Sequence, residues 1–101
     1  MIKHIVMWSL KEEYNGQTKN TIANELKTRL LDLENKIPQL KSIAVGINEI
    51  HFDRNHDVVL ITEFNSFDDL AIYANHPDHL KLVEFVKQIS TARAAIDFTL
   101  E

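Results

Sequence analysis

Cysteine is absent from this sequence. That single absence excludes disulfide staples, thiolate nucleophiles and cysteine-based zinc or iron–sulfur centres. Glycine and proline occur twice each in 101 residues, which argues for regular elements and against a disordered tail. No apolar run approaches the roughly 18 residues that a bilayer-spanning helix needs, so no membrane partner is expected. Basic residues number 11 against 15 acidic ones, for a formal net charge of −4. They form no stripe, so nucleic acid is not an expected partner either. No G-x-G-x-x-G, Walker or G-x-S-x-G pattern occurs, which leaves nucleotide phosphates and a hydrolase elbow without support. The opening residues carry a short apolar run and then acids, without the basic flank and cleavage site of a signal peptide. A cytoplasmic protein is expected.

What is present is an ordinary globular composition, 45% hydrophobic and 26% charged. The length fits one domain, residues 1–101, with a modest core. Residues 3–11 are β-branched and aromatic, a strand with His4, Val6, Trp8 and Leu10 on one face. The segment "EEYNGQT" interrupts the pattern. Ile22, Leu26, Leu30, Leu33 and Ile37 then recur every three or four residues, predicting an amphipathic helix over 18–36 that Pro38 stops. Ile43, Val45 and Ile47 alternate with small or polar residues as a second strand. "HFDRNHD" reads as a polar loop, with His51 and His56 solvated, and 57–64 as a central third strand apolar on both faces. Ser66 with Asp69 opens a short helix with Phe67, Leu70, Tyr73 and Ala74 inward. Pro77 disfavours helical angles at His76 yet suits a first helical turn, so one helix ends near Asn75 and another runs from Pro77 to about Ile89. Residues 93–101 alternate again as a fourth strand.

The order strand, helix, strand, strand, helix, strand is the split βαβ arrangement of an α+β, ferredoxin-like fold. Both helices lie on one sheet face, yet the opposite face is apolar too. A large exposed apolar face marks an interaction surface, and the economical cover is a second copy. A homodimer is therefore expected.

"MIKHIV", "IPQLKSIAVG", "DVVLITEFNSFDDLAIYANHPDH" and "AAIDF" together resemble the stress-responsive dimeric α/β barrel (Dabb) family over nearly the whole chain. The most specific elements are His4 on the first strand and the segment His76-Pro77-Asp78-His79. The resemblance implies a ferredoxin-like βαββαβ protomer whose sheet packs on that of its mate to form a barrel. Some plant proteins similar to this family are polyketide cyclases that use a tyrosine and a histidine as an acid/base pair with no cofactor. At matching positions that pair is Tyr73 and His79.

The chemistry of that pair is intelligible. A neutral imidazole is a base poised near pH 7. A phenol can donate a hydrogen bond to a developing enolate. The bland alternative is a core tyrosine beside a histidine in a helix's first turn. His76 and Pro77 read as the structural junction between the two helices. His4 and Asp97 read as a pair across neighbouring strands, because a buried carboxylate needs a partner. Whether they stand in the core or line a pocket is open at this point. His76 and His79 lie three apart, not the four of a zinc helix with glutamate between, and no metal or other cofactor is expected. Two functions of different class follow. One is a small-molecule-binding protein, with a pocket around Tyr73, His79, His4 and Asp97 and acid/base chemistry. The other is a dimeric stress-associated module without turnover. A cofactor-free monooxygenase on the same fold is a further alternative. Leu26, Leu30, Phe85 and Trp8 would fill a pocket between helices and sheet; Ala23, Ala44, Ala71, Ala74 and Ala95 would leave it open.

Overall fold

A computed structural model describes residues 1–101. Strand β1 spans Ile2–Leu10. Its alternation sends Ile2, Val6, Trp8 and Leu10 into the core, with His4 half-buried on the same face. The segment "EEYNGQT" is a two-residue hairpin, not a break: β2 (Glu13–Tyr14) pairs with β3 (Gln17–Thr18). Asn15 and Gly16 take φ of 49° and 77° at its turn, the left-handed pair that a tight hairpin requires and that Asn-Gly supplies. The strands are too short to show a period, which is why the signal was lost. The Tyr14 hydroxyl donates to Gln88 Oε1 at 2.6 Å and ties the hairpin to the far end of the chain.

Helix α1 (Lys19–Asp32) is capped by the Thr18 hydroxyl and buries Ile22, Ala23, Leu26 and Leu30. It is shorter than 18–36. The chain tightens into a 3-10 turn over Leu33–Asn35, and Leu33 and Ile37 still reach the core. Strands β4 (Ser42–Ile47) and β5 (Val58–Phe64) follow. Helix α2 (Phe67–Asn75) is capped by Ser66. Phe67, expected inward, is the first residue of α2 and is 53% exposed; the inward stripe starts one turn later, at Leu70 and Tyr73. Helix α3 (Pro77–Ile89) buries Leu82, Val86 and Ile89. It runs straight into β6 (Ser90–Thr99), which therefore begins before Arg93.

The main sheet has the order β4-β5-β1-β6, every pair antiparallel. Residues opposite one another share a face. The inward face carries Val6, Trp8, Val58, Leu60 and Phe64 against the helices. The outward face carries Ile5, Met7, Val59, Ile61, Ala94, Ile96 and Phe98, with Ile96 58% exposed. No helix covers it. On β6 the inward positions Arg93, Ala95, Asp97 and Thr99 are exposed as well.

The Ser66 cap is the clearest local determinant of α2, accepting from Asp69 N–H at 3.1 Å. Ser66→Ala should lower unfolding free energy by about 1 kcal/mol, and Ser66→Gly by only a few tenths. In urea titrations the midpoint should fall with the slope unchanged.

Candidate functional site

The junction between α2 and α3 builds the site. Pro77 occupies the first turn of α3, where its missing N–H costs nothing. His76 takes φ −65° and ψ 138°, extended as a residue before proline prefers. Its Nδ1 accepts from Asp78 N–H at 3.1 Å, so the imidazole acts as the N-cap of α3. The structure thus places His76 in the junction, with Asp78 Oδ2 3.7 Å from the same Nδ1.

His79 sits in the first turn of α3, half-buried. Its Nδ1 lies 2.9 Å from the Ala74 carbonyl oxygen of α2. A carbonyl only accepts, so Nδ1 carries the hydrogen and donates, leaving the lone pair on Nε2. Burial lowers the His79 pKa below its ordinary value; the nearby His4, Arg93 and His76 push the same way, and the bond to Ala74 opposes them. The imidazole is therefore neutral at pH 7 and basic at Nε2.

Tyr73 is buried against Phe64, their ring centroids 5.0 Å apart. Its ring also lies 4.6 Å from that of His79 and 6.4 Å, edge-on, from that of His4. Burial pushes the phenol pKa well above its ordinary value, so it stays protonated. The Tyr73 hydroxyl is the one buried side-chain polar atom without a hydrogen-bond partner. Such a group costs about 1–3 kcal/mol unless something outside the chain satisfies it, and it points to a water or ligand.

His4 and Asp97 stand opposite one another across β1 and β6, and His4 Nδ1 bonds Asp97 Oδ1. That leaves His4 Nε2 as the free nitrogen. The His4 side chain is 13% exposed and that of Asp97 45%, so the pair lies at the edge of the core and opens to solvent on the β6 side. Leu26, Leu30 and Trp8 are buried and fill the space under α1. Of the small residues, Ala44, Ala71 and Ala95 are at the surface and Ala23 is packed.

A well-defined cleft lies elsewhere. It measures about 900 Å³ and is lined by Ser9, Lys19, Asn48, Asp57 and their neighbours, at the opposite end of β1 from His4. Asp57 accepts from Leu10 N–H at 2.7 Å and pairs with Lys19 at 3.3 Å, and Lys19 also meets Glu12 at 2.9 Å. His56, expected in solvent, is half-buried and bonds Ser9 at 2.9 Å; β1 and the loop before β5 bring them together, which local sequence does not reveal. His51 is exposed as expected. No group of three or more histidines and carboxylates is arranged to hold a metal ion. No helix is long and apolar enough to cross a membrane.

The sequence profile of the stress-responsive A/B barrel domain matches residues 2–100. No curated protein matches the chain. Among solved structures, a dimeric protein of unknown function with a ferredoxin-like fold from Bacteroides fragilis is 28% identical. The match covers 98% of this chain and 95% of that one, with a TM-score of 0.85. A dimeric ferredoxin-like protein of unknown function from Thermobifida fusca is 25% identical over 98% and 90%, with a TM-score of 0.82. The hydroxynitrile lyase of Passiflora edulis shares the fold at 14% identity over 99% and 93%, with a TM-score of 0.80.

The His79 shift has a sign in stability. Its folded pKa lies below the unfolded value near 6.5, so between the two the unfolded chain binds more protons. Stability is full above pH about 6.5 and falls as pH drops toward the folded value. His79→Gln should lose less stability than the wild type between pH 7 and pH 5, measured by urea unfolding at each pH.

Proposed function

This chain belongs to the stress-responsive α/β barrel (Dabb) family, and on that premise we propose a homodimer that binds a small organic carbonyl compound at Tyr73 and His79 and promotes its enolisation. The observation that carries the reading is the buried Tyr73 hydroxyl without a partner, beside a neutral imidazole. His79 Nε2 takes a proton from the carbon next to the carbonyl. The electron pair moves onto the carbonyl oxygen, where the Tyr73 O–H donates a hydrogen bond to the developing enolate. The protonated imidazole then returns its proton to carbon, or to oxygen after an intramolecular bond has formed. His4, held by Asp97, forms the wall opposite His79 and offers Nε2 as acceptor. The role of His76 and Pro77 is to fix the angle between Tyr73 and His79. A solved hydroxynitrile lyase shares the fold, so this architecture is compatible with an enzyme site.

The filled space under α1 and the position of the 900 Å³ cleft, away from Tyr73 and His79, favour the second reading, a dimeric module without turnover. The two readings differ in one measurement. With pentane-2,4-dione in deuterated buffer, exchange of the central protons should be faster with protein than with imidazole at matched concentration. Tyr73→Phe and His79→Gln should each reduce that rate about 10²-fold or more. Tyr73→Phe should fold as stably as the wild type or better, because it deletes an unpaired buried hydroxyl. Exchange no faster than with imidazole alone would leave the module reading in place.

The dimer is proposed from the uncovered apolar face of the sheet and from the dimeric state of the solved relatives. Ile61 lies on that face on the central strand β5. Ile61→Arg should give a folded monomer by light scattering at micromolar concentration where the wild type is a dimer. A monomeric wild type would overturn the proposal.

A further inference from the structure

One charged side chain at the edge of the site is unused. The sequence has three arginines. Arg29 pairs with Glu25 at 2.8 Å and lies over the Phe85 ring at 3.9 Å. Arg54 lies over the Phe52 ring at 5.2 Å. Arg93 enters none of the chain's ion pairs, side-chain hydrogen bonds or ring contacts.

Its place in the sheet is informative. Arg93 stands opposite Trp8, Ala95 opposite Val6 and Asp97 opposite His4. Those β1 residues face the helices, so Arg93, Ala95 and Asp97 occupy the inward face of β6. There the fold elsewhere places apolar side chains. On β6 these positions are exposed. They form a solvent-exposed strip beside the core, with small Ala95 at its middle. Arg93 and Asp97 stand at its two ends, four residues and about 13 Å apart along the strand. Asp97 is engaged by His4. Arg93 is the free charge, and it is near enough for its field to act on His79.

We propose that Arg93 holds the carboxylate of an anionic ligand lying along this strip, so that the site selects organic acids whose carbonyl or phenolic oxygen reaches Tyr73 and His79. The inference rests on the Tyr73–His79 reading above and adds the substrate class to it. A guanidinium suits this task because its planar fork matches a carboxylate with two parallel N–H···O bonds. The strip is exposed to water at Ala95, so the ligand's acid group stays partly hydrated while its oxygen-bearing end turns toward Tyr73 and His79.

The test compares an acid with its neutral ester. Isotope-labelled protein is titrated with 4-hydroxybenzoate and with methyl 4-hydroxybenzoate, and amide shifts are followed by NMR. The wild type should prefer the acid by about tenfold, as a partly exposed charge-assisted pair allows, with shifts at Tyr73, His79 and Arg93. Arg93→Gln should bring the preference near one while leaving affinity for the ester unchanged, and Arg93→Lys should retain part of it. Tyr73→Phe should weaken both compounds and leave their ratio intact. Equal acid-to-ester ratios in the wild type and Arg93→Gln, with shifts still at Tyr73 and His79, would overturn the role of Arg93 alone. Absence of shifts at Tyr73 and His79 with either compound would overturn the pocket and the proposal together.

Discussion

The ring of Pro77 is the constraint on which the site depends. It forbids the ordinary continuation of α2, since a proline supplies no N–H and crowds the residue before it. His76 responds by going extended, and the chain restarts as α3. The two helix ends would then leave orphan groups. His76 satisfies one N–H of α3 through Nδ1, and His79 satisfies a carbonyl of α2 through its own Nδ1–H. Those two imidazoles are locked in opposite tautomers by one break in the backbone. The lock also selects which nitrogen of His79 is left basic, and it holds that ring against Tyr73.

A second constraint is the sheet's imbalance. Three helices cover one face of a four-stranded sheet and cover it unevenly, leaving the inward side of β6 open. The opposite face is apolar and has no helix to meet it. Pairing two such faces would bury that apolar surface without touching the junction, so the proposed dimer seam and the proposed site would occupy opposite sides of the same sheet. That separation explains why an edge strand can carry Arg93 and Asp97 inward at little cost: its inward side faces water, not a packed layer.

Much of this was legible in the residues because it rests on local pattern. The alternation in residues 3–11 and 93–101, with strand order set by the split βαβ arrangement, was enough to place His4 beside Asp97. The Ser66 cap and the Pro77 break were legible because both are short-range backbone effects. What escaped depended on register or on volume. The Asn-Gly hairpin lacks strands long enough to show a period. The contact of His56 with Ser9 depends on where β1 ends relative to the loop before β5. The bond from His79 to Ala74 depends on a rotamer. Whether Leu26, Leu30 and Trp8 fill the space under α1 is a question of summed volume, and no pattern of residue types decides it.

The pair at the junction gains its chemistry from one cause acting in two directions. Burial disfavours charge on any group. On a phenol that means holding the proton more tightly, and on an imidazole it means giving the proton up more readily. One buried environment therefore favours the protonated phenol and the neutral imidazole side by side, with no ion pair between them. When two titratable groups are driven apart in this way, the donor and acceptor roles follow from the environment.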